Sequence, residues 1–82
     1  MQKWSYVTAS VYDDKVLEID GQKVGDMRFK GFSWEVKGEN LHDFLNRMGQ
    51  DGWEVVGVTP VTGTGDKPGT VSIKVILKRP IA

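Results

Sequence analysis

The chain has 82 residues, with eleven Lys and Arg, eleven Asp and Glu, one His and no Cys. At 39% hydrophobic and 27% charged residues it reads as one globular α+β domain spanning 1–82 rather than a disordered segment. Zero net charge gives no electrostatic ground for nucleic acid or an anionic membrane as partner. The missing cysteines exclude a disulfide framework, a thiolate nucleophile and a cysteine metal site, and a single histidine excludes a His-rich centre.

Met1 to Tyr12 lacks the apolar stretch of a signal peptide, and the longest purely apolar run is Val75 to Leu77. The expected location is therefore the cytoplasm, with no membrane-spanning helix. A chain this short buries only about 60% of its unfolded surface, so self-association is an expected source of extra stability.

Lys3 to Tyr12 is rich in aromatic and β-branched residues and reads as the first strand. Asp13-Asp14 makes a turn. Val16 to Ile19, Asp20-Gly21 and Gln22 to Gly25 form the clearest hairpin signal, because Asp-Gly suits a turn with φ > 0 at both central residues. The implied register sets Ile19 against Gln22, Glu18 against Lys23 and Leu17 against Val24. Met27 to Val36 alternates less cleanly. Read as a single strand, it points Phe32, Trp34 and Val36 one way and Met27 and Phe29 the other, with Gly31 as a bulge or break.

Glu39 to Asp51 is the one helix. Leu41, Phe44, Leu45 and Met48 recur at i, i+3, i+4 and i+7, Asn40 is its cap, and Gly52 is the expected left-handed exit. Trp53 to Val61 and Thr70 to Lys78 are strands around a loop at Thr62 to Gly69, and Pro80 is expected to end the second. One helix carries one apolar stripe, so the simplest architecture is an antiparallel sheet of four or five strands with the helix on one face. Trp53, Val55 and the odd-numbered residues of the last strand compete with Val56 and Val58 for the helix-facing layer.

From Leu45 to Val56 the chain resembles the small bacterial proteins grouped as domain of unknown function 4177. That family opens on an aromatic W-x-Y strand, matched by Trp4 and Tyr6. Its helix ends in L-x-x-x-G-x-x-G-W-E, matched by Leu45, Gly49, Gly52, Trp53 and Glu54. It closes on L-K-R-P, matched by Leu77, Lys78, Arg79 and Pro80. The segment from Val16 to Trp34 looks like an insertion relative to the shortest members. The resemblance implies a compact α+β domain and no established activity.

The candidate sites each meet a plainer explanation. Gly49 and Gly52 turn the chain from helix into strand, Trp53 is a core residue, and Glu54 is exposed or pairs with a cation such as Arg79. Glu39 and His42 spell E-x-x-H, but a di-metal site needs two such units and further carboxylates. Gly63 to Thr70 superficially suggests a phosphate loop, yet Lys67 is followed by Pro68 and a strand rather than a helix N-terminus. No nucleophile–base pair is visible, and a pocket of roughly 300 Å³ or more is not expected of so short a monomer. No cofactor or metal is expected.

Trp4, Tyr6, Tyr12, Phe29, Phe32 and Trp34, beside Lys3, Arg28 and Lys30, suggest an aromatic and basic face. The leading expectation is a non-catalytic module that self-associates, as a homodimer, through sheet surface or a sheet edge, with Trp4, Tyr6, Phe32, Trp34 and Ile76 at the interface. The alternatives are a binder of a small ligand or single-stranded nucleic acid on the open sheet face, and an enzyme whose site forms between subunits. A third account folds Met27 to Val36 over its own sheet as a second small core.

Overall fold

A computed structural model describes residues 1–62 and 71–81. Its elements are β1 (Lys3–Tyr12), β2 (Lys15–Ile19), β3 (Gln22–Lys23), β4 (Asp26–Lys30), β5 (Ser33–Lys37), β6 (Glu39–Asn40), α1 (Leu41–Gln50), β7 (Glu54–Thr62) and β8 (Val71–Ile81). The chain is α+β with antiparallel pairing, but it carries more strands than the four or five expected. A six-stranded sheet runs β3-β2-β1-β8-β7, with β6 also on β2, and β4-β5 forms a separate two-stranded sheet. The strands not expected are β6, which shares the outer edge of β2 with the expected hairpin strand β3, and the additional strand that arises because the Met27 to Val36 segment divides in two.

The turn chemistry places the hairpins. Asp13 and Asp14 both have positive φ, as do Asp20 and Gly21, the geometry that two-residue hairpin loops need to match strand twist. Ile19 pairs with Gln22 and Glu18 with Lys23, as the Asp-Gly register requires. The third expected pair, Leu17 with Val24, does not form. Instead the Leu17 carbonyl accepts from both Val24 N and Gly25 N, and β2 slips by one residue against β1 at this point. The β4-β5 arm leaves the sheet at this irregularity, between β3 and β6. Its two ends pass so close to β2 that a Cβ on Gly25 or Gly38 would lie 2.6 or 2.5 Å from the Val16 carbonyl oxygen.

The helix begins where Asn40 Oδ1 accepts from His42 N at 2.9 Å. It ends in a double-bonded C-terminal motif, with Gly52 N donating to Gly49 O and Trp53 N to Met48 O, each at 3.0 Å. Gly52 sits at φ +87°, so it is the turning residue, and Gly49 stays inside the helix. Phe44 and Met48 share one buried cluster with Ala9, Val11, Val16, Val75 and Leu77. Phe44, Val16 and Leu77 are fully buried, and burial of side chains of this kind contributes about 1.5–3 kcal/mol each.

Two expectations about β7 and β8 need correction. Val55 pairs with Leu77 and Val58 with Val75, because a bulge at Val56 shifts the register and puts both valines on the core-facing side. Both remain substantially exposed, since that layer's buried cluster lies over β1, β2 and β8. Pro80 does not end β8, which continues to Ile81 with Pro80 opposite Trp4. The partner strand β7 stops opposite Lys78, so Pro80 lies at an edge, where a missing donor is tolerated. The pairing of β7 with β8 is as expected. Gly63 to Gly69 of the expected loop, and the phosphate-loop reading at Gly63 to Thr70, lie outside the described residues.

Candidate functional site

Residues alternate across a strand, so the side of β1 and β8 opposite the core is built from Trp4, Tyr6, Thr8, Ser10 and Tyr12 with Ser72, Lys74, Ile76 and Lys78. Register places Tyr6 opposite Lys78 and Thr8 opposite Ile76. The Lys78 ammonium lies 4.0 Å from the centre of the Trp4 ring and 3.8 Å from Glu54. Ile76 is half-buried and lies opposite Gly57 of β7. Trp4, Tyr6 and Ile76 are therefore on one face, as the sequence suggested. Tyr6 is 58% exposed, which leaves this face uncovered within the monomer.

Phe32 and Trp34 are elsewhere, on the β4-β5 arm, and the arm overturns the single-strand reading of Met27 to Val36. The chain reverses at Gly31-Phe32, with Gly31 at φ +63°, and pairs Met27 with Val36 and Phe29 with Trp34. Reversal brings Met27, Phe29, Trp34 and Val36 onto one side, where the single strand had set them on two. The Phe29 and Trp34 rings are 5.3 Å apart and tilted by 59°. Phe29 is 61% exposed and Phe32, at the tip, is fully exposed, so the segment does not fold over its own sheet as a second core.

The other side of the arm carries Asp26, Arg28, Lys30, Ser33, Glu35 and Lys37. Asp26 meets Arg28 at 2.6 Å and Lys23 at 3.3 Å, and Glu35 meets Lys30 at 2.8 Å and Lys37 at 3.4 Å. Hydrogen bonding by Arg28, then Lys23, holds the Asp26 carboxyl below its ordinary range. Lys30, then Lys37, does the same for Glu35. Aromatic and basic residues thus occupy opposite sides of the arm. They do not form the interleaved aromatic and basic face that a single-strand reading suggested.

The G-W-E and L-K-R-P motifs meet in space. The Arg79 guanidinium lies 4.4 Å from the centre of the Trp53 ring, and Nη1 donates to the Asp51 carbonyl at 3.0 Å. A cation at a helix C-terminus has the favourable sign for the helix dipole. Arg79 is therefore spent on Trp53 and the helix end; Glu54 is exposed, as expected, and the cation it meets is Lys78. The E-x-x-H residues are also engaged: Glu39 accepts from Arg47 through both oxygens, and His42 Nε2 lies 3.2 Å from the Asn46 amide.

Clefts larger than expected are present. One of about 670 Å³ is lined by Ser5, Asp51, Gly52, Arg79, Pro80 and Ile81, and its one cationic lining residue is the Arg79 already described. Another, of about 290 Å³, matters more for the arm. Met27 lines it together with Ser10, Val11, Tyr12, Leu17, Glu18 and Ser72, so the arm's Met27 side adjoins the uncovered side of the sheet across a partly polar cleft. Met27, Phe29 and Val36 were missing from the sequence-derived interface. The signal for them was the Gly-X pair at Gly31-Phe32, a two-residue hairpin loop with apolar residues equally spaced on either side.

These features define a small antiparallel α+β domain with an amphipathic arm and no helix, among the described residues, long and apolar enough to cross a membrane. The chain belongs to the family described as Domain of unknown function (DUF4177), which matches residues 12–80. The match takes in the helix exit and the closing strand; Trp4 and Tyr6 precede it. No curated protein and no solved structure matches the chain.

Proposed function

We propose that this chain is a non-catalytic interaction module that forms a homodimer through the uncovered side of its sheet. The observation that carries the reading is the set of exposed or half-buried large side chains without a covering layer, Trp4, Tyr6, Tyr12 and Ile76 on the sheet and Met27 and Phe29 on the arm. Exposed apolar patches beyond a few hundred Å² mark interaction sites in soluble proteins, and closed two-fold pairing is the commonest way to cover one. The engagement of His42 by Asn46 and of Glu39 by Arg47 favours the non-catalytic reading over a subunit-interface enzyme. On the arm, Phe29 and Trp34 lie on the side opposite Arg28 and Lys30, which favours a protein partner for the arm over single-stranded nucleic acid, whose platforms need both together. Sedimentation velocity at low micromolar concentration tests it. The expected result is about twice the 9.2 kDa chain mass, falling to the monomer in Ile76→Lys. A wild-type mass that stays at 9.2 kDa as concentration rises overturns it.

A further inference from the structure

The β4-β5 arm is an isolated two-stranded hairpin with one apolar and one charged side. Such a hairpin is at best marginally stable in water without a surface to pack on. No residue of either strand is fully buried, and the chain's radius of gyration is 14.3 Å, against about 12 Å for a compact domain of this length. The charged side is internally paired through Asp26, Arg28, Lys30, Glu35 and Lys37, which leaves it suited to water. Only the side carrying Met27 and Phe29 is left to dock.

We infer that the arm is an exchange element: its apolar side lies across the Tyr6, Thr8 and Ile76 face of a second copy, while the second copy's arm lies across the first. This inference rests on the homodimer reading and names its contact. Two observations select a second copy as the occupant. The uncovered sheet side carries Tyr6, Tyr12 and Ile76 and lacks a cover, so one symmetric operation closes both surfaces. The arm's apolar side and the sheet's uncovered side meet at the cleft holding Met27, Tyr12 and Ser72, so they face the same way. A two-fold axis running between two such faces, beside the arm's root, therefore sets each arm on the other's sheet.

The area also suffices. Met27, Phe29, Phe32 and Trp34 are 40, 61, 105 and 39% exposed, which at the areas typical of large side chains is roughly 500 Å². Trp4 and Tyr6 add roughly 200 Å², so an exchange buries roughly 1,400 Å² in total, within the range of stable interfaces. Reach is adequate too: five residues per arm strand span roughly 17 Å, about the width of four sheet strands. Gly25 and Gly38 hold the arm's root against the Val16 carbonyl, which fixes where the arm starts.

Exchange predicts complementation, which other dimers do not. An arm variant (Phe29→Lys with Phe32→Lys) and a sheet variant (Ile76→Lys) each destroy both contacts of their own dimer. Mixed together, they restore one contact, the intact arm of one chain on the intact sheet of the other. Sedimentation velocity of each variant alone should give the monomer. The equimolar mixture should give at least a tenfold larger dimer fraction at the same total concentration. Circular dichroism confirms that both variants fold. A second measurement uses no disruptive change: in this cysteine-free chain, Phe29→Cys mixed with Thr8→Cys should form the mixed disulfide on mild oxidation. A mixture that stays monomeric, with no mixed disulfide, overturns exchange in favour of arm-to-arm pairing. An arm variant that dimerises like the wild type overturns it while leaving the homodimer reading intact. A monomeric wild type removes both.

Discussion

The sheet-and-helix body and the β4-β5 arm both carry large apolar and aromatic side chains but reach opposite ends of burial. In the body, Phe44 of the helix, Val16 of β2 and Leu77 of β8 converge from three elements and lose all contact with water. In the arm, Phe29 and Trp34 touch each other across a single strand pair, and Phe29 and the tip residue Phe32 stay 61% and fully exposed. A sheet buries side chains only when another layer covers it. Aromatic content alone therefore did not make a core, and the uncovered layer is the one available for association.

The largest expected effect tests whether the body alone carries folding. Phe44→Ala should destabilise by about 3–5 kcal/mol in urea denaturation, enough to unfold much of a domain this small. Phe29→Ala should cost under about 0.5 kcal/mol at a concentration where the protein is monomeric, as for other surface changes. A Phe29→Ala cost that grows with protein concentration sharpens the contrast, because it assigns the arm's stability to the second copy. Equal costs for the two at every concentration would erase it.

A smaller effect is expected at the junction of helix and sheet. Gly52→Val should destabilise by about 1–2 kcal/mol, because a side chain at φ +87° is strained. An added Cβ there meets nothing within 4 Å, so backbone strain rather than packing sets the cost. Unchanged chemical denaturation would show that the turn does not depend on this residue.

The smallest effect belongs to the arm's charged side. Asp26 and Glu35 are held below the ordinary carboxylate range by their hydrogen-bonded cations. A carboxyl depressed in the folded state binds its proton more readily when unfolded, so its contribution is present above the unfolded value and is lost as pH falls through the folded one. Below about pH 4 the arm should loosen, seen as converging amide shifts of residues 26–37 by NMR, while those of the helix hold. Both groups sit at the surface, about one-third exposed, so the change should be partial and weakened by salt. An arm whose shifts are flat from pH 7 to pH 2 would show that these pairs do not shape it.

Local chemistry made much of this fold legible. Asn40 and Gly52 bound the helix because a capping acceptor and a left-handed exit are properties of single residues. Asp20-Gly21 set the register of Glu18 with Lys23 because a two-residue turn leaves no freedom in the pairing. The family resemblance carried by Gly52, Trp53, Glu54 and Arg79 also holds, and its physical basis is the contact of Arg79 with Trp53 and the Asp51 carbonyl. Sites that depend on distance along the chain were not legible in the same way. The bulges at Leu17 and Val56 shift parity by one residue, and no local preference announces a bulge whose cause is the neighbouring strand. Pro80 stayed in β8 because β7 ends opposite Lys78. The side of the arm on which Phe29 and Trp34 meet was decided by a reversal at Gly31-Phe32. Sequence by itself thus determined elements, caps and tight turns, each settled within a few residues. Tertiary structure decided which apolar residues found cover, because burial depends on what the rest of the chain places above them.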